Sequence, residues 1–260
     1  MRKEILIIGN WKCNPLRLTQ AQNLCRSIVL GLRKEAKKNR TKQCSFKTKN
    51  KEQVRIVICP PFVYINDLVA LNKKLGANLE FGAQNCFWEE SGAYTGEISP
   101  KMVKSLGCRY VIVGHSERRL YFNETNEIIN KKLKISLRVG LTPILCIGES
   151  KKDEETGKTE EILKIQLQEG LKGVENGKLV KNLIIAYEPV WAIGTGDFCD
   201  PEKASKALFF IRQRTNAKVL YGGSVNSKIA GEYLKVGFDG LLIGGASLKA
   251  QEFIKIIKNV

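Results

Sequence analysis

Short apolar runs alternate with longer amphipathic stretches along the whole chain. Eight runs of four to six residues, rich in Val, Ile and Leu, read as strands: Ile5–Gly9, Arg55–Cys59, Leu79–Ala83, Tyr110–Gly114, Thr142–Ile147, Leu183–Tyr187, Lys218–Tyr221 and Gly240–Ile243. Helical patterns follow them, over Leu18–Lys38, Val63–Leu75, Pro100–Leu106, Glu127–Arg138, Glu160–Gly170, Pro201–Thr215, Lys228–Lys235 and Gln251–Lys258. Pro201 stands at a helix start with Asp200 before it as a cap. The strands are almost continuously apolar, which predicts a parallel sheet buried on both faces. Eight strand–helix units close a (β/α)8 barrel with no edge strand left over. An open doubly wound sheet is the alternative, disfavoured because polar and glycine-rich motifs follow many strands and not one switch point. The expectation is one α/β barrel domain over residues 1–260.

Composition refines this picture. The chain has 260 residues, 43% of them hydrophobic, enough for a sizeable core. No apolar run approaches the ~18 residues that span a membrane. Met1-Arg2-Lys3 resembles the start of a signal peptide, but Ile5–Ile8 is shorter than an h-region of ~7–15 residues, so a first strand in a cytoplasmic protein is the better reading. The eight cysteines, at 13, 25, 44, 59, 86, 108, 146 and 199, form no C-x-x-C pair, and there is one histidine. They read as reduced thiols filling apolar space, with neither a metal site nor disulfides expected.

The net charge is +17, and Arg33–Glu52 concentrates it, with nine basic and two acidic residues. This basic insertion, residues 34–53, lies between the first helix and the second strand, at the end of a barrel opposite its catalytic loops. It reads as a helix extension followed by a mobile, solvated loop. Binding of nucleic acid or another polyanion by 34–53 is the less favoured alternative.

Candidate chemistry lies past the strand ends, because in a barrel these positions converge on one mouth. The densest motif is Tyr187-Glu188-Pro189-Val190-Trp191-Ala192-Ile193-Gly194-Thr195-Gly196. Proline stiffens the chain after Glu188, and the glycines let the far side of the loop move and bring backbone N–H groups close to a ligand. The other motifs are Gly9-Asn10-Trp11-Lys12 after the first strand and Gly114-His115-Ser116-Glu117-Arg118-Arg119 after the fourth. Tyr221-Gly222-Gly223-Ser224-Val225-Asn226 follows the seventh, and Gly244-Gly245-Ala246-Ser247 the eighth. A carboxylate aimed by a stiff hinge on a loop that can close is a catalytic arrangement.

These five motifs, in this order, resemble the triosephosphate isomerase family over the whole chain except the basic segment. The resemblance implies a TIM barrel and a cofactor-free interconversion of dihydroxyacetone phosphate and glyceraldehyde 3-phosphate. It also implies Glu188 as base and His115 as electrophile, with Lys12 and Asn10 completing the catalytic set. This family is the standard example of a glutamate base paired with a neutral imidazole. The substrate, a phosphorylated triose, is expected to bind Asn10, Lys12, Gly194, Ser224, Gly244 and Gly245. The phosphate would lie against backbone N–H groups of the last four. Glu117 and Ser116 would support the site from behind, Glu117 beside Lys12. A homodimer is implied, with Thr95 on the long loop Gln84–Glu97 reaching the partner and Gln84 and Cys13 near the interface. The basic insertion departs from the family pattern, as do Pro15 and the hinge Asp197-Phe198-Cys199.

Blander readings compete at single residues. Arg118 and Arg119 suit structural ion pairs better than ligand contacts. The Gly-Gly pairs alone are compatible with simple turns. A Schiff-base aldolase would need a lysine inside the barrel, commonly on the sixth strand, and Leu183–Tyr187 has none. A basic nucleic-acid-binding protein leaves the strand-end motifs unexplained.

Overall fold

The computed structural model describes residues 4–38, 46–47, 53–174, 182–194 and 198–260. Eight parallel strands close on themselves: β1 (Glu4–Asn10), β3 (Gln53–Cys59), β4 (Glu80–Ala83), β5 (Tyr110–Val113), β6 (Thr142–Ile147), β7 (Ile184–Tyr187), β8 (Lys218–Tyr221) and β9 (Gly240–Ile243). Each pairs with the next, and β1 joins β3 on one side and β9 on the other, aligning Ile8 with Val57 and with Leu242. This is the (β/α)8 barrel expected from the strand pattern.

Alternation along the strands explains why they read as continuously apolar. Leu6, Ile8, Val57, Cys59, Ile112, Ile144, Cys146, Ala186 and Leu220 fill the barrel interior. Their neighbours Ile7, Ile58, Val111, Leu145, Ile185 and Val219 point outward into the layer shared with the helices. Both faces are dry, so neither carries the polar half of a two-residue period.

Ten helices surround the strands: α1 (Leu18–Lys38), α2 (Phe62–Lys74), α3 (Pro100–Ser105), α4 (Ser116–Phe122), α5 (Asn126–Arg138), α6 (Lys151–Glu155), α7 (Thr159–Gly170), α8 (Pro201–Arg212), α9 (Ala230–Lys235) and α10 (Ala250–Asn259), counted among the described residues. Side chains fix several of their starts. Ser99 caps α3 and Thr125 caps α5, while Asp200 accepts from the N–H groups of Glu202 and Lys203 at the head of α8. Two of the ten escape the periodicity. The α6 helix buries no residue and rests on a Ser150–Asp153 capping box. The α4 helix buries only Ser116 and leaves Leu120, Tyr121 and Phe122 exposed.

The basic insertion differs in part from its expected form. The α1 helix runs on to Lys38, as expected, but Phe46–Lys47 then forms a two-residue strand, β2, antiparallel to the start of β3. The rest of that segment lies outside the described residues. At the N-terminal ends of the strands a polar cluster closes the barrel floor. Arg55 bridges Glu4 at 2.7 Å and Glu80 at 3.6 Å, Lys218 reaches Glu4 at 2.8 Å, and the Tyr110 hydroxyl donates to Glu80 at 2.8 Å. No helix among the described residues is long and apolar enough to cross a membrane.

Candidate active site

At the opposite end the strand termini surround a cavity of about 240 Å³. A cavity of that size suits a small ligand. Asn10, Lys12, His115, Glu188, Gly194, Ser224, Gly244 and Gly245 all line it. Thus the residues expected at the site from five separate strand ends meet in one place.

Glu188 follows β7 and is only 2% exposed. Its backbone N–H donates to Ile147 O at 2.7 Å, which holds it to the end of β6. Glycines make room on both sides: a Cβ on Gly148 would collide with the Glu188 backbone, and one on Gly222 would stand 2.9 Å from Glu188 Cγ. Glu188 Oε2 accepts from the Ser116 N–H at 3.1 Å. Oε1 is buried with no hydrogen-bonding partner, although His115 Nε2 lies 3.3 Å away, out of line for a hydrogen bond. One carboxylate oxygen is therefore anchored and the other is open to a proton.

His115 caps α4 through its side chain, with Nδ1 accepting the Glu117 N–H at 3.2 Å. A nitrogen that accepts an N–H carries no proton of its own, so this bond selects the tautomer with hydrogen on Nε2, the atom nearer Glu188. Local backbone geometry thus presents a neutral N–H donor and a carboxylate side by side.

Lys12 adopts a left-handed backbone with φ +53°, uncommon for a residue with a side chain. Several contacts hold it there. Its N–H donates to Asn10 Oδ1 at 3.1 Å, its Nζ meets Glu117 Oε1 at 2.5 Å, and its carbonyl accepts from Gln84 Nε2 at 2.8 Å. The same Gln84 nitrogen reaches Cys59 O at 2.9 Å, tying Lys12 to the end of β3. Because Asn10 uses its oxygen on Lys12, its amide N–H groups remain to serve the cavity.

The glycine-rich returns differ from one another. Gly244 leads into a 3₁₀ turn, Gly245–Leu248, whose first N–H groups lack partners within the turn. Ser224 is already engaged: its N–H donates to Ala192 O at 3.1 Å and its hydroxyl to the same oxygen at 2.5 Å. In this conformation the Ser224 amide, expected to face an anion, instead ties the Glu188 loop to the turn after β8.

A family model described as triosephosphate isomerase matches residues 5–260. The triosephosphate isomerase of Dictyoglomus thermophilum is 48% identical over 223 residues, covering 82% of this chain and 88% of that protein. That of Picosynechococcus sp. is 43% identical over 265 residues, covering 100% of both. That of Dehalococcoides mccartyi is 40% identical, covering 98% of this chain and 96% of that protein. The chain belongs to the triosephosphate isomerase family.

Several residues of this family member were not singled out by sequence. Glu149 is 1% exposed, and its Oε1 accepts both the Tyr187 hydroxyl at 3.1 Å and Trp191 Nε1 at 3.0 Å. It therefore anchors the near side of the Glu188 loop, and burial pushes its carboxyl up despite those two bonds. It follows β6 as Gly148-Glu149-Ser150, so the same strand-end rule pointed to it. Gln84, expected at an interface, braces Lys12 within the chain. The two arginines also separate. Arg118 pairs with Glu124 at 2.5 Å, as expected, whereas Arg119 donates to Gly114 O, Cys146 O and Asn126 Oδ1 in place of a carboxylate. Thr95 and Cys13 are exposed outside the cavity. Of the hinge, Phe198 lines the cavity and Cys199 is buried, while Asp197 lies outside the described residues.

Proposed function

We propose that this chain interconverts dihydroxyacetone phosphate and D-glyceraldehyde 3-phosphate, with Glu188 as base and neutral His115 as electrophile. One observation carries the reading: Glu188 Oε1, buried and unpaired, lies 3.3 Å from His115 Nε2 inside the cavity that Lys12 and the glycine turns share. Moving a carbonyl by one carbon requires loss of the neighbouring proton, an enediolate, and return of the proton next door. Glu188 takes the proton while Nε2–H of His115 bonds the carbonyl oxygen as its charge grows. Lys12 and the Asn10 amide add fixed positive potential, with Glu117 orienting Lys12 and the Ser116 N–H orienting Glu188. The phosphate is held by the N–H groups of Gly194, Gly244 and Gly245, and by that of Ser224 once it leaves Ala192. The carbon-to-carbon proton shift by Glu188, with the matching transfer of the hydroxyl proton from one oxygen to the other by way of His115 Nε2, is redox-neutral and balances.

The test is a coupled assay with glyceraldehyde 3-phosphate on wild type, Glu188→Asp and His115→Gln. Withdrawing the carboxylate by one methylene lowers turnover by about 10²-fold or more. A wild type inert towards triose phosphates, or variants as fast as it, would end the reading.

The functional unit in this proposal is a cytoplasmic homodimer, with Thr95, Gln84 and Cys13 at or near the contact. The exposed residues 91–97, which include Thr95, support a partner at that loop. Sedimentation giving an active monomer at micromolar concentration would exclude the dimer. The buried free thiols of Cys25, Cys59, Cys86, Cys108, Cys146 and Cys199 suit a reducing compartment.

A further inference from the structure

The far end of the Glu188 loop returns to the barrel wall at Cys199, and the side chain that receives it is Tyr233. Both residues are fully buried. The Tyr233 hydroxyl, carried by α9, donates to the Cys199 carbonyl at 2.8 Å. One residue later Asp200 caps α8, so the chain beyond this point is fixed. The Tyr233 ring lies flat on Tyr221, with centroids 3.6 Å apart and planes 11° from parallel. Tyr221 ends β8 and leads directly into Gly222-Gly223-Ser224. Tyr187, the residue before Glu188, meets Tyr221 edge-on at 6.5 Å, and Phe238 closes the stack at 5.6 Å from Tyr221.

The loop is therefore held at three points. Glu149 holds Tyr187 and Trp191 near its start, Ser224 holds Ala192, and Tyr233 holds Cys199 at its end. Only Tyr233 also stacks beneath the turn that lines the anion-binding side of the cavity. We infer that Tyr233 is a positioning residue for the isomerisation proposed above: its hydroxyl sets where the Glu188 loop ends, and its ring couples that point to the Gly222–Ser224 turn. It touches no substrate. It acts through Phe198, which lines the cavity directly ahead of Cys199.

The hydroxyl and the ring can be tested separately. Tyr233→Phe keeps the stack and leaves a buried carbonyl without its donor. Two probes then divide the effects. Inorganic phosphate is held mainly by the turns after β8 and β9, whereas 2-phosphoglycolate, whose carboxylate imitates the enediolate charge, depends on the base loop in register as well. In Tyr233→Phe, 2-phosphoglycolate affinity is expected to fall about tenfold, the worth of one buried hydrogen bond, with KM for glyceraldehyde 3-phosphate rising in parallel. Phosphate inhibition is expected to stay within about twofold of wild type. Tyr233→Leu, which also removes the stack, weakens phosphate as well. A ratio of the two dissociation constants in Tyr233→Phe equal to that of wild type, in a preparation whose wild type is active, would overturn the role of Tyr233. The proposed function itself would survive that result, since it falls only with an inert wild type.

Discussion

Gly222→Ala tests the positioning of Glu188 by adding a single carbon. Gly222 has a backbone that alanine accepts, so the consequence comes from contact and not from strain. The new Cβ would stand 2.9 Å from Glu188 Cγ and 3.2 Å from Tyr187 O. Carbon atoms rest at about 3.5–4.0 Å, so one of the two must move by about 0.6–1.1 Å. The turn is poorly placed to yield, because the Gly222 N–H is tied to Tyr187 O at 2.7 Å. Glu188 is the freer partner, its side chain held by the Ser116 N–H. A displacement near 1 Å at a reacting group costs up to about 10²-fold in rate, so kcat is expected to fall by about 10- to 100-fold. The crowding itself destabilises by about 1–3 kcal/mol, which urea unfolding measures independently. Steady-state kinetics in the coupled assay give kcat and KM. Turnover within about twofold of wild type would refute the claim that Glu188 works from the position the glycine leaves open.

Three further outcomes follow from the same geometry. Lys12→Met removes the one cation lining the cavity among the described residues, and kcat/KM is expected to drop by about 10²–10³-fold, measured by the same assay. For Glu149, a carboxyl raised by burial favours the folded state when protonated. Its contribution is complete below its ordinary value of 4.5 and is lost as pH rises through the raised one. The stability of Glu149→Gln relative to wild type should therefore increase as pH rises above 4.5 in urea titrations, and a constant difference would contradict the assignment. Deleting residues 37–50 is expected to leave turnover nearly intact, because the start of β3 pairs with Glu4 at the barrel floor, away from the cavity. If that segment binds polyanions, the deletion also abolishes salt-sensitive retention on heparin.

The strands were legible because a buried parallel strand needs β-branched residues on both faces, and all eight predicted runs are strands of the barrel. The cavity was legible because barrel closure brings the strand ends together wherever they lie in the sequence. What periodicity could not reveal were α4 and α6, which bury almost nothing and depend on His115 and Ser150 as caps. Glu149 was accessible to the strand-end rule and went unread, its motif being shorter than the others. Tyr233 and the bracing role of Gln84 were out of reach. Tyr233 acts across 34 residues on Cys199 and Gln84 across 72 on Lys12, and neither contact leaves a local pattern. Ser224 shows a further limit, since its amide is committed by a hydrogen bond to Ala192 that belongs to this conformation of the loop.

In the proposed reaction one carboxylate, held on one side of a small phosphorylated ketone, removes its proton. The most direct measurement is proton NMR of dihydroxyacetone phosphate in D2O with wild type and Glu188→Gln. A single base on a fixed loop reaches one face of the substrate, so one of the two protons on the reacting carbon should exchange for deuterium. Glu188→Gln should slow that exchange by about a thousandfold or more, since an amide cannot accept the proton. Exchange of both protons at comparable rates, or equal exchange in the glutamine variant, would contradict the account.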